Sequence, residues 1–181
     1  MKSFFAFIWE ISKIVIIALV IVIPIRYFLF QPFFVMGQSM EPNFENGDYL
    51  IVDEISYRFK DPQRGEVLVF KYPENPSQRY IKRIVGLPGE TIEIKDGKIT
   101  IYKDGGKWTL DESSYLPSSL ETPGHTQTTL EKNEYFVLGD NRYLSSDSRR
   151  WGPLPRENII GRVFLRAWPI TALAKIEAPA Y

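Results

Sequence analysis

The feature that most constrains this chain is an uncharged, almost wholly aliphatic run from Ile14 to Ile25. As a helix, those residues reach only about 18 Å, short of the roughly 30 Å hydrocarbon core of a bilayer. Extending the segment from Ile11 to Phe30 gives a spanning length if Lys13 and Arg26 snorkel to opposite interfaces, with Trp9 and Tyr27 as interfacial aromatics. Pro24 would kink such a helix without excluding it. The competing reading is a cleavable leader with Lys2 in its basic region, but Arg26, Tyr27, Phe28, Pro32, Phe33 and Phe34 stand where a small-x-small cleavage pattern is needed. A retained anchor is therefore expected. Loop charge orients it weakly, since Lys2 and Lys13 are offset by Glu10 and opposed by Arg26; the amino terminus is taken as cytoplasmic.

After Met36 the pattern changes to short β-rich runs broken by Gly, Pro, Asn and Asp. Strands are expected at Tyr49 to Val52, Val67 to Phe70, Tyr80 to Val85, Tyr135 to Leu138 and Ile159 to Trp168. The sharpest expectation is a hairpin from Thr91 to Tyr102. Asp96-Gly97 suits a two-residue type I′ turn, and that register sets Ile94 opposite Ile99 and Ile92 opposite Ile101. Residues 103–133, rich in Ser, Thr, Gly and Pro, read as a loop or small insertion. No repeat or heptad emerges. The expected fold class is mainly β: a barrel-like all-β domain over 31–181, one transmembrane helix over 11–30, and a short segment over 1–10.

Composition removes several functions. Twenty-two basic and 22 acidic residues cancel, so no global field points to nucleic acid. The absence of cysteine removes a disulfide framework, a thiol nucleophile and a cysteine-rich zinc site. The single histidine, His125, lies in a Pro-Gly-x-Thr-Gln-Thr context without apolar periodicity and reads as a solvated loop residue. The carboxylates look scattered rather than paired. No metal or other cofactor is called for.

Gly37-Gln38-Ser39-Met40-Glu41-Pro42 follows the apolar helix closely and brackets a serine in a tight connection. By itself that is a turn serine; a nucleophile needs a base. The candidate base is Lys82, in Tyr80-Ile81-Lys82-Arg83-Ile84-Val85. Strand alternation sets Lys82 with Tyr80 and Ile84, and Arg83 with Ile81 and Val85, so one of the two basic residues is expected to face inward. Alternation alone does not choose between them. A buried lysine loses hydration of its charged form, and its pKa falls from about 10.4 towards a range where the neutral amine accepts a proton.

Gly-x-Ser-Met-x-Pro after an apolar helix, Tyr-Ile-Lys-Arg-x-Val-Gly-Leu-Pro-Gly from Tyr80, and Gly139-Asp140-Asn141-Arg142 with Ser145, Asp147, Ser148 and Arg149 together resemble type I signal peptidase. The motifs run in order from Gly37 to Gly152. The resemblance implies a serine endopeptidase that removes signal peptides from exported preproteins after small-x-small sites. In it Ser39 is the nucleophile, Lys82 the general base, Ser145 a hydroxyl that orients the lysine, and Asp147 with Arg149 a structural ion pair. It implies that Ser39 N–H stabilises the oxyanion, and that Met40 and Ile81 bind substrate. It also implies preproteins and the lipid bilayer as partners, and a single-pass protein of the cell membrane whose catalytic domain is extracytoplasmic. Two positions depart from the pattern. Gly37 stands where some members carry a hydroxyl as second oxyanion donor, and Tyr143-Leu144 replaces a more polar pair. The alternatives are a catalytically silent, membrane-anchored binding homologue and a self-cleaving Ser-Lys protease of the repressor type. The latter needs a DNA-binding module where this chain has its apolar helix.

Overall fold

The computed structural model describes residues 2–28 and 30–179, with side chains described for residues 4, 7–22 and 31–179. The expected interfacial or kinking side chains of Lys2, Pro24, Arg26 and Tyr27 lie outside those described. A first helix, α1 (Lys2–Phe28), carries the aliphatic run and begins before the expected Ile11. On it, Lys13 donates to Glu10 at 2.8 Å. Among the described residues no helix is long and apolar enough to cross a membrane.

The remaining chain is mainly β. Its strands are β1 (Phe30–Phe34), β2 (Tyr49–Asp53), β3 (Val67–Tyr72), β4 (Asn75–Gly86), β5 (Thr91–Lys95), β6 (Lys98–Lys103), β7 (Gly106–Thr109), β8 (Thr126–Thr129), β9 (Glu134–Leu138), β10 (Leu154–Pro155), β11 (Ile159–Trp168) and β12 (Ala174–Lys175), with a short helix α2 (Ser148–Trp151) between β9 and β10. The larger sheet runs β1-β2-β11-β3-β4-β9-β10, with β12 also on β11; the smaller runs β7-β6-β5-β8. This corrects the expected barrel, because the larger sheet does not close. Its two terminal strands are short and contain Pro32 and Pro155, which lack the N–H donors a further strand would need.

The hairpin forms in the expected register, with Ile92 opposite Ile101 and Ile94 opposite Ile99. Asp96 (φ 50°) and Gly97 (φ 75°) supply the two left-handed residues of its turn. All four isoleucines are buried in one cluster with Val85, Leu110, Leu130, Phe136 and Leu138. Residues 103–133, read as a loop or insertion, contribute the outer strands β7 and β8 of this sheet and the core residue Leu110.

Strand β4 positions the chemistry. Ile81 packs in a cluster with Val35, Met40, Phe44 and Leu50, while Ile84 packs in another with Leu68, Phe70 and Val137. Apolar side chains thus cover both faces of the strand from Ile81 to Gly86. Both basic residues are consequently buried, Lys82 at 3% exposure and Arg83 at 4%, which corrects the expectation that only one faces inward. At the end of β1, Phe34 is exposed whereas the next residue, Val35, is in the core.

Candidate active site

Ser39 sits in the connection between β1 and β2, held from three sides. Gly37 adopts φ 89°, and its N–H donates to Asn46 Oδ1 at 2.8 Å. The Phe44 N–H donates to the Met40 carbonyl at 2.9 Å, closing a turn whose Met40 and Phe44 side chains are buried. From the opposite side the Asn141 N–H donates to the Ser39 carbonyl at 3.1 Å. Met40 therefore fixes the turn to the core. Its side chain is fully buried.

Lys82 reaches this turn from β4. Its Nζ lies 2.7 Å from Ser39 Oγ and 2.8 Å from the Ile81 carbonyl, and 5.6 Å from the centre of the Tyr80 ring. Burial lowers its pKa to about 8, against the opposing pull of Asp147 and Asp140. An amine with that pKa is neutral in about a tenth of molecules at pH 7, and far more readily so than an exposed lysine. A hydroxyl and a deprotonatable amine at hydrogen-bond distance are the minimal parts of an activated serine nucleophile.

The third motif surrounds the pair. Gly139 approaches so closely that a Cβ there would stand 2.3 Å from Ser145 Oγ and 2.4 Å from the Ser39 carbonyl oxygen. Ser145 is thus beside the pair, yet its buried Oγ has no hydrogen-bond partner among the described residues. The expected bond to Lys82 is not formed, because the lysine amine is directed to Ser39 and to the Ile81 carbonyl. Asp147 and Arg149 do pair, with Arg149 Nε and Nη2 each donating at 2.8 Å, and Asp147 Oδ2 also accepts the Gly139 N–H at 3.1 Å. The ion pair thereby ties α2 to the loop that packs on Ser39.

Sequence reasoning missed a second buried pair. Arg83 donates from Nε to Asp140 Oδ1 at 2.8 Å and from Nη2 to Oδ2 at 2.6 Å, and Asn43 Nδ2 adds a bond to Oδ2 at 2.8 Å. Asp140 lay within a motif already singled out, but nothing local indicates a partner on β4. Arg142, fully buried, spans Glu112 and the Gly139 carbonyl. His125 is exposed.

A cleft of about 710 Å³ opens at the pair, lined by Phe33, Phe34 and Met36 of β1 and its extension, by Ser77 to Lys82 of β4, and by Leu144 and Ser146 of the third motif. Ile81, expected to contact substrate, lines it. One edge of β4 pairs with β3, whereas pairing with β9 begins only at Arg83. Among the described residues, the edge before Arg83 is therefore open towards the cleft.

A family profile described as signal peptidase, peptidase S26, matches residues 8–168. Signal peptidase I of Leptolyngbya laminosa is 38% identical over 177 residues, 92% of this chain and 83% of that protein. Signal peptidase I V of Bacillus subtilis is 35% identical over 156 residues, 81% of this chain and 90% of that protein. A crystal structure of a signal peptidase I from Enterococcus faecalis, 32% identical, has a TM-score of 0.47 and covers 57% of this chain and 97% of that one.

Proposed function

The chain belongs to the signal peptidase family, peptidase S26, and from that premise we propose that it is a serine endopeptidase that removes signal peptides from preproteins, with Ser39 as nucleophile and Lys82 as general base. The observation that carries the residue assignment is the 2.7 Å contact between Lys82 Nζ and Ser39 Oγ at the floor of an open cleft.

The chemistry follows from this geometry. Neutral Lys82 takes the proton of Ser39 as Oγ attacks the carbonyl carbon of the scissile bond. The carbonyl π pair moves to oxygen, giving a tetrahedral oxyanion that the Ser39 N–H stabilises; no other described residue takes that N–H. Collapse breaks the C–N bond as the lysine ammonium protonates the departing amine, leaving an ester on Ser39. Lys82, neutral again, takes a proton from water as the water oxygen attacks the ester; the second oxyanion then collapses, the bond between Ser39 Oγ and the acyl carbon breaks, and the lysine ammonium returns its proton to Oγ, freeing the signal peptide as a carboxylic acid and restoring neutral Lys82. Burial of Lys82 is what keeps its amine basic but incompletely protonated near neutrality.

An extended peptide adds to the open edge of β4 beside Ile81, the mode by which strands commonly recognise peptides. The aliphatic α1 anchors the body over 31–181 to the membrane by a single pass, with the cleft on the extracytoplasmic side. What supports this reading is that α1 is 27 residues long, about 40 Å as a helix, and that its aliphatic run continues to Ile25, past the described side chains to which the absence of a spanning helix refers. Exposed Phe34 and Met36 then face the headgroup region beside the cleft.

The test is cleavage of a preprotein carrying an Ala-x-Ala site by detergent-solubilised wild type and Ser39→Ala. Cleavage at that site by wild type alone is expected. Equal cleavage by both proteins excludes Ser39 as nucleophile, and none by either excludes the peptidase assignment for such sites.

A further inference from the structure

Lys82 and one other residue are the charged groups among those lining the cleft, and no carboxylate is among them. The other is Arg79, three residues earlier on the same strand. Its side chain is exposed and makes no hydrogen bond or ion pair among the described residues. The nearby acid, Glu54, feels the Arg79 charge but makes no hydrogen bond or ion pair with it, and its Oε1 has no hydrogen-bond partner among the described residues. The five donors of Arg79 thus stand without a hydrogen-bond acceptor among the described residues, at the edge where a substrate strand adds.

We propose that Arg79 is a specificity-determining residue that favours an acidic side chain at about the fifth substrate residue before the cut and disfavours a basic one. The inference rests on the peptidase assignment and assigns a chemistry to one part of the cleft. Two arguments place the position. Phe33 and Phe34 of β1, the strand that follows α1 directly, line the same cleft as Arg79. The loop bonded to the Ser39 carbonyl through Asn141 brings Leu144 and Ser146 to the lining. A peptide emerging from the membrane therefore lays its residues before the cut along the Arg79 side. Strand alternation sets Arg79 on the same face of β4 as Ile81, and substrate residues one, three and five before the cut share one face. With Ile81 beside the first and third, which must be small, the fifth is the first position on that face able to present a charged side chain to Arg79.

A pairing of this kind, open to solvent, is expected to change kcat/KM by about three- to fivefold. Its reciprocal repulsion disfavours lysine by a similar factor. The full chain in detergent is assayed on matched preproteins carrying Asp, Asn or Lys at each of the third to seventh positions before an Ala-x-Ala site. Cleavage of the Asn substrates by wild type reports the peptidase assignment separately. The proposal expects an Asp-over-Lys preference centred on the fifth position, flattened in Arg79→Gln and inverted in Arg79→Glu, and weakened by salt. It is overturned if the Asp-to-Lys ratio at every position is the same in wild type and Arg79→Glu. It is equally overturned if the variants slow all substrates alike while losing affinity for anionic but not zwitterionic vesicles, which would make Arg79 a headgroup contact.

Discussion

Replacing Lys82 by methionine separates catalysis from stability at a single residue. The variant is expected to lose cleavage entirely, because an aliphatic side chain of similar reach fits the site but accepts no proton. It is also expected to be more stable than wild type at pH 7, by about 1 to 3 kcal/mol in chemical denaturation. The sign follows from linkage. Burial lowers the folded pKa to about 8, so the unfolded chain binds the extra proton between pH 8 and the ordinary lysine value. Wild-type stability therefore rises with pH through that window, and the advantage of Lys82→Met shrinks as it does. A second residue prediction concerns Arg83→Met, which leaves Asp140 buried without its guanidinium. A loss of about 3 to 5 kcal/mol is expected from urea unfolding, with Asn43 as the remaining partner. Ser39 and Lys82 were legible from motif order, as residues of the right types whose contact the fold then supplies. The Arg83–Asp140 pair was not, because burial of both faces of β4 depends on packing by segments remote in the chain.

At the scale of elements, the loop from Gly139 to Asp147 aligns Ser39 with the lysine. A methyl group at Gly139 meets the Ser39 carbonyl and Ser145 inside contact distance, so Gly139→Ala must displace one wall of the site. Cleavage is expected to fall on the order of a hundredfold, with only about 1 to 3 kcal/mol lost in stability, as measured by kinetics beside denaturation. Elements whose local signals agree were readable: the hairpin carries both its turn residues and its isoleucine alternation in one short stretch. β1 was hidden because Pro32 reads as a break, although an edge strand accepts proline. β7 and β8 were hidden for a different reason: Gly106–Thr109 and Thr126–Thr129 contain little apolar alternation and gain their strand conformation from pairing with β6 and β5.

At the scale of the molecule, an open, mainly β body follows an aliphatic helix, and the cleft lies beside the strand that joins them. Deleting residues 1–29 is expected to leave cooperative unfolding of the β body intact while abolishing flotation with liposomes; retained flotation would move the membrane anchor elsewhere. The account as a whole depends on a buried neutral lysine activating Ser39, and the pH profile of preprotein cleavage by the full-length protein tests this most directly. With Lys82 at about 8, log kcat/KM should climb with unit slope below that pH and level above it, and Lys82→Met should be inactive throughout. A profile flat across pH 6 to 9, or cleavage by Lys82→Met at the wild-type rate, would contradict it.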